Sequence, residues 1–346
     1  MTPVQCGMSD GALLLAAEME AAFGIKTAFA VVNSNEKCGL NSLIVYCAPA
    51  ELLKACLSLS RGQPGNLLVH LSGYGYSADG APTLLAEALE TVRADGRFGI
   101  AVFFHELYAS GMPWRSAFWY AHRQRRALRR IAGLCDLPIT NARVFVDWIE
   151  KQTASQVQYM PVFSQVGEAQ QHVPFSHRDP VMVVFGLAGT RQRAYLELTR
   201  PGGTLRQLGV QQILDIGPEC EAPREVSGIP VKRMGVLAAA EIDRQFAQTA
   251  FGYLAYPPNC LTKSGVFAAY TAHGIIPIIA RHFRGEMDGL IHGEHVLSLE
   301  TANAIEPAAL EQCSLAAWRW YSGHKLHHHA AMYDQWLNAA ISQARA

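Results

Sequence analysis

Short runs rich in Val, Ile, Leu and Phe recur along the chain, and between them the apolar positions open to a three-to-four spacing. Runs of four to seven apolar residues suit strands buried on both faces; the wider spacing suits helices with one buried stripe. Strands are expected at residues 27–32, 42–47, 66–71 and 99–104, with weaker ones near Pro138 and Tyr159. Helices fit between them at 11–23, 50–59, 83–94, 116–134 and 142–152. The polar tract EAQQHVPFSHRDP at 168–180 holds two prolines, breaks the rhythm and reads as a domain linker. A second series follows, with strands expected at 181–185, 212–216, 230–233, 250–255, 274–279 and 295–299. Strands alternating with helices imply α/β units around parallel sheets, whose ligands sit at the carboxyl ends of the strands. The expected domains are 1–167 and 181–320, followed by a helical tail, 321–346, packing back toward the first domain. A Gly-bearing turn and a helix begin within ten residues of the start, so the first strand is expected to be short or missing.

At 346 residues the chain can bury two cores. Its 29 basic residues balance 29 acidic ones, so nothing global draws it to nucleic acid. Its eight cysteines are scattered without a CxxC pair, as expected of reduced thiols in a cytoplasmic protein. With neither a membrane-spanning apolar run nor a signal-peptide pattern, the expected location is cytoplasmic, with a peripheral place at the inner membrane face left open.

Several stretches carry candidate chemistry. In NCLTKSGVFAAYTAHGIIPII, residues 259–279, Lys263, Ser264 and Gly265 stand at the mouth of an apolar helix. A helix start offers unpaired N–H groups and partial positive charge to an anion such as a diphosphate, but a capping serine beside a surface lysine fits the same residues. In VVFGLAGTRQRAYLEL a strand runs through Gly186 into Thr190 and Arg191, a second phosphate-cradle layout without P-loop or dinucleotide spacing. In IAVFFHELYASG a strand ends in His105 and Glu106, suited to proton transfer or simply to local hydrogen bonding. LLVHLSGYGYSADGAP likewise ends a strand in His70, Ser72, Tyr74 and Tyr76, which suits a polyol site or a turn.

Residues 114–130, WRSAFWYAHRQRRALRR, hold six arginines and no acid, with Phe118 and Trp119 among the basic groups. That pattern suggests a peripheral anionic-membrane contact, or a solvated basic face. His324, His327, His328 and His329 do not form a metal site in this reading, because adjacent histidines on a helix diverge by about 100°.

In this order the pieces resemble the GT-B glycosyltransferases of the retaining, family-four-like group, over nearly the whole length. CGMSDGALLLAAEM resembles the first loop and helix of the acceptor domain, FFHELYASG its strand ending in the active-site histidine, and PVFSQVGE the crossing to the donor domain. VVFGLAGTR resembles the donor domain's first strand and phosphate loop, and AYPPNCLTKSGVFAAYTAHGIIPII its donor-site loop and helix. The resemblance implies α/β GT-B architecture, two doubly wound Rossmann-like domains facing a central cleft. By it His105 touches the donor sugar or its phosphate. Arg191 replaces a phosphate-binding lysine, Ser264 opens the diphosphate-binding helix, and Gly7, Ser9 and Asp10 fall in the loop approaching donor and acceptor. Leu261 and Ala269 stand where the family has two glutamates.

The implied activity is transfer of a sugar from a nucleotide-sugar to a polysaccharide or lipid-linked acceptor, with retention and with no cofactor or metal. Helix starts, Arg191 and Lys263 then neutralise the leaving diphosphate. Two other readings stay open: a GT-B-shaped binding or scaffold protein without catalysis, and a nucleotide-sugar 2-epimerase-like enzyme.

Overall fold

A computed structural model describes residues 7–32, 44–109, 116–199, 204–301 and 305–345. The chain divides into two compact units, residues 1–161 with 329–346, and residues 162–328.

The first unit contains α1 (Gly7–Phe23), β1 (Phe29–Val32), β2 (Ile44–Cys47), α2 (Leu52–Leu59), β3 (Gly65–Leu71), α3 (Gly73–Tyr76), α4 (Thr83–Asp95) and β4 (Phe98–Phe104). It continues with α5 (Ser116–Ala132), β5 (Leu137–Thr140), α6 (Arg143–Glu150) and β6 (Gln158–Tyr159). Its strands form two parallel ladders, β1–β2 and β3–β4–β5–β6. β4, FGIAVFF, is buried at six of seven positions, as its unbroken apolar run requires. Leu71, Ile100, Val102 and Phe104 pack against Leu85, Leu89 and Val92 of α4 and Leu128 and Ile131 of α5. The expected loop at Gly7, Ser9 and Asp10 is instead the first turn of α1, where Asp10 lies near the positive end of the helix dipole. Trp114, Arg115 and the stub of a first strand before Gly7 lie outside the described residues.

The second unit runs β7 (Asp179–Phe185), α7 (Ala188–Leu198), α8 (Thr204–Gln207), β8 (Gln212–Ile216), β9 (Glu225–Val226), β10 (Ile229–Gly235), α9 (Ala239–Gln248), β11 (Thr249–Tyr253), α10 (Gly265–Ala272) and β12 (Ile276–Ile279). The hairpin β13 (Glu286–Met287) and β14 (Leu290–Ile291), then β15 (Leu297–Ser298) and α11 (Pro307–Ser322), complete it. α12 (Leu326–Arg345) follows, and from His329 onward it belongs to the first unit. There the ring of Trp336 lies over Gly99, and His329 bonds the carbonyl of Pro161 at 2.9 Å.

The seven-stranded sheet has the order β15–β12–β11–β7–β8–β10–β9. The chain winds outward from β7 to β8 and β10, then returns through α9 to β11 on the other side of β7. The winding direction therefore reverses between β7 and β11, which is where an open α/β sheet forms a binding crevice. Their last paired residues are Val184 and Tyr253. The Tyr270 phenol from α10 sits at this divergence. It accepts from Phe185 N at 3.1 Å and lies 3.2 Å from the carbonyls of Val183 and Tyr253. Gly252 makes room for it, because a Cβ there would lie 2.5 Å from the ring.

The tract expected as a linker is packed into the second unit, which begins at Val162. Glu168 accepts from the Tyr321 hydroxyl and from Leu326 N. Arg178 is buried and donates to the carbonyls of Thr249 (2.9 Å) and His273 (2.6 Å) at the ends of α9 and α10, and to that of Val173. Burial lowers its pKa to about 10. Glu168 and Arg178 thus tie the tract into the unit, while Gln170, Gln171, Ser176, His177 and Asp179 stay exposed.

Tyr270→Phe leaves the Phe185 N–H and two carbonyls without the hydroxyl that serves them. The expected loss is about 1–3 kcal/mol, read from urea unfolding of the second unit. An unchanged midpoint shows that the phenol contributes nothing there.

Candidate functional site

Two polar groupings stand at carboxyl ends of strands, one in each unit. In the first unit, His105 follows β4 and extends its ladder, donating its backbone N–H to Leu71 at 3.0 Å. His70 lies near the end of β3, paired in register with Phe103. Because β3 and β4 run parallel, the two imidazoles meet, His70 Nδ1 lying 3.0 Å from His105 Nε2. Both stack against the Phe103 ring, with centroids 5.9 and 4.4 Å away.

Burial lowers the His70 pKa to about 4, so at neutral pH that ring is uncharged. One nitrogen of the pair must then donate and the other accept, which couples the tautomer of His105 to that of His70. Glu106, exposed, accepts from Ser72 Oγ at 3.1 Å, a second tie across the same strand ends. Tyr76 donates to the His70 carbonyl at 3.1 Å, and burial raises its pKa to about 12. Tyr74 is 56% exposed. Asn141, directly after β5, is buried, and its side-chain oxygen has no hydrogen-bond partner. The expected residues brought together are therefore His105, Glu106, His70, Ser72 and Tyr76. Gly7, Ser9 and Asp10 belong to the start of α1.

In the second unit the starts of α7 and α10 converge beside the reversal point. Gly186, after β7, has φ +123°, and a Cβ on it would lie 3.1 Å from the Val266 side chain in the first turn of α10. No side chain caps the start of α7. α10 is capped by Ser264, whose Oγ accepts from Phe267 N at 3.2 Å. Ser264 is thus a buried cap, its oxygen directed to the helix. Lys263 is half-buried, and a Cβ on Gly265 would meet nothing within 4 Å, so the backbone opens onto free space there.

Arg191 is fully buried. Its Nη1 pairs with Asp215 at 2.5 Å, and its Nε donates to the Gly186 carbonyl at 2.9 Å. Tyr195 also donates to Asp215, at 3.0 Å. The Arg191 Nη2 is buried without a partner. Expected as a phosphate contact, the guanidinium has its charge met by a carboxylate and braces the glycine turn from behind. Asp215, 24 positions away at the end of β8, is the partner that sequence reasoning missed. Leu261 and Ala269, at the positions of the family's glutamates, are buried among apolar neighbours.

A cavity of about 800 Å³ flanks α7, lined by Tyr195, Thr199, Glu219, Glu221 and Arg233 among others. It lies where the crossover from β8 to β10 carries β9 in place of a helix, and no expected site residue lines it. Among the described residues no group of three His, Cys, Asp or Glu side chains is placed to hold a metal. His327 and His328 are splayed with ring centroids 6.4 Å apart.

The two units, each built on parallel strands, have the GT-B fold. No protein-family model matches the chain, and no curated protein matches it in sequence. Among solved structures, the alpha,alpha-trehalose-phosphate synthase (UDP-forming) from Burkholderia xenovorans, in complex with glucose-6-phosphate, is similar with TM-score 0.56 and 12% identity over 97% of this chain and 96% of that one. The corresponding synthase from Burkholderia vietnamiensis gives TM-score 0.56 and 12% identity, over 99% and 97% of the chains. An alpha-glucosyltransferase in complex with UDP-glucose and DNA containing an abasic site gives TM-score 0.52 and 12% identity over 92% of each chain.

Acidification tests the histidine pair. The folded state holds His70 neutral while the unfolded chain protonates it near the ordinary histidine value of 6.5, so this contribution to stability is present above that pH. It is lost as pH falls from about 6.5 toward 4, by about 1–3 kcal/mol. His70→Phe should flatten that part of the stability–pH curve, and an identical slope in the variant excludes His70 as its source.

Proposed function

We propose that the protein is a nucleotide-sugar-dependent glycosyltransferase that holds the donor diphosphate at the paired starts of α7 and α10. The observation that carries this reading is the convergence of two helix starts on Gly186, beside the point where the winding of a GT-B sheet reverses. The uncapped N–H groups of Ala188 and Gly189, the Thr190 hydroxyl, the open backbone at Gly265 and the Lys263 ammonium receive the phosphate oxygens. Arg191, buried against Asp215, holds Gly186 in place.

In the transfer, the bond from the sugar C1 to the diphosphate oxygen breaks and one to an acceptor hydroxyl forms on the same face. The acceptor proton passes to the leaving phosphate, and the anomeric configuration is retained. Backbone dipoles and Lys263 stabilise the diphosphate charge, so the reaction needs no divalent ion. In the first unit, His105, held by His70, and Glu106 are the side chains suited to bonding a sugar hydroxyl. The UDP-glucose of one structural neighbour and the glucose-6-phosphate of another make a UDP-hexose donor and a phosphorylated sugar acceptor the first to try. Polysaccharide and lipid-linked acceptors come next.

A second reading, a GT-B-shaped binding protein without catalysis, has one observation in its favour. Leu261 and Ala269 fill with buried apolar groups the places where the family resemblance puts carboxylates. A 2-epimerase-like enzyme would bind the same donor and release free sugar.

Calorimetry with UDP, GDP and ADP should give binding of at least one, and Lys263→Ala should weaken it by about tenfold to a hundredfold with folding intact. Arg191→Ala is the poorer probe, since stranding buried Asp215 costs about 3–5 kcal/mol of stability. No binding of any nucleoside diphosphate overturns the transferase and epimerase readings together. Binding without turnover of UDP-hexoses leaves the binding protein, sugar release without transfer leaves the epimerase, and turnover lost with a chelator overturns metal independence.

The exposed side of α5 suits a peripheral contact with an anionic membrane. Phe118, Trp119 and Tyr120 are 44%, 69% and 41% exposed, beside the exposed Arg123, Arg125, Arg126 and Arg129. Vesicles containing phosphatidylserine should sediment the protein at low salt and release it at high salt. Equal recovery with neutral vesicles removes the claim.

A further inference from the structure

The buried stripe of α5 is Ala121, Gln124, Ala127, Leu128, Ile131 and Ala132, with a glutamine where the helical period calls for an apolar residue. Gln124 is 1% exposed, and both ends of its carboxamide are used. Oε1 accepts from Ala109 N at 2.7 Å, in the segment that follows His105 and Glu106. Nε2 donates to the Asp79 carbonyl at 2.7 Å and lies 3.3 Å from the Tyr74 hydroxyl, both in the segment that follows Ser72.

The second segment is shaped to admit this contact. Gly80 has φ +69°, and a Cβ there would lie 2.6 Å from Gln124 Nε2 and 2.9 Å from the Tyr74 ring. Gly73 lets the Gly80 carbonyl approach to 2.3 Å of where its own Cβ would stand, closing the segment into a tight loop. Arg123, the next residue on α5, adds an ion pair to Asp79 at 2.9 Å.

A buried polar side chain is tolerated only when bonded, and an apolar residue of the same volume would hold the helix at least as well. What an apolar residue cannot do is fix two loops at a set separation. We infer that Gln124 is a positioning residue of the first-unit site: its carboxamide sets the Ser72–Gly80 loop against the His105–Ala109 loop. With the Ser72–Glu106 bond at the near end and Gln124 at the far end, the two segments are tied twice. The consequence for turnover rests on the glycosyltransferase reading; the tie itself does not.

Hydrogen exchange followed by mass spectrometry tests the tie without any substrate. In Gln124→Met, which keeps the side-chain length, amides in 73–81 and 105–109 should exchange about tenfold faster while the strands of the first sheet keep their protection. Gly80→Ala drives a methyl at the same amide from the loop side, leaves α5 unchanged, and should also expose Ala109, in the other segment. It gives the answer even if Gln124→Met fails to fold. If the protein turns over a UDP-hexose, Gln124→Met should lower kcat by about tenfold and leave the Kd for UDP unchanged, which loss of folded protein alone does not produce. Exchange that rises everywhere together, or an Ala109 amide that stays protected in either folded variant, overturns the proposal. A wild-type protein that binds no nucleotide overturns the transferase reading and leaves the exchange result to decide the tie.

Discussion

Parallel strands that part company leave backbone groups with nowhere to bond, and the second unit is organised around meeting that cost at one place. β7 and β11 diverge after Val184 and Tyr253, at the point where the chain leaves β7 toward β8 on one side and leaves β11 toward β12 on the other. One phenol, Tyr270, enters the gap, accepts from Phe185 N and serves two carbonyls. Its position fixes α10 over the sheet, and with it the first turn of α10 against Gly186. The convergence of two helix starts, on which the candidate phosphate site rests, therefore follows from how the sheet handles its own unpaired groups.

Much of this architecture was legible in the chain. Runs such as FGIAVFF and GIIPII can be little else than buried strands, and strands alternating with helices implied parallel sheets before any coordinates. The α/β class and the positions of His105, Gly186 and Ser264 at strand ends or a helix start followed from local pattern; GT-B came from the resemblance. What local pattern hides is partnership. His70 and His105 are 35 positions apart, and Arg191 and Asp215 are 24 apart. Each pair exists because neighbouring parallel strands bring their ends together. Polar residues were the harder case generally: a linker and a buried hydrogen-bonding tract have the same composition. Arg178 and Glu168 show that only the presence of carbonyl and hydroxyl partners separates the two.

α5 makes the same point on a single helix. Its outward residues, arginines with three exposed aromatics, stand out in the sequence, whereas Gln124 on the inward side does not. A glutamine in a helix is ordinary until its neighbours are known to be alanine, leucine and isoleucine facing a core. The first unit's site is then read as a supported structure: histidines placed by strands, loops set by a helix that bonds both of them.

The Arg191–Asp215 pair determines how far the candidate phosphate site can be felt. A guanidinium already matched by a carboxylate exerts little net field at a distance, and the remaining attraction of the α7 turn comes from oriented N–H dipoles. The pull of a dipole decays more steeply than that of a charge, so this turn acts on an anion only when the two are almost in contact. Apart from Lys263, a phosphate site here would discriminate by close fit and do little to gather anions from solution.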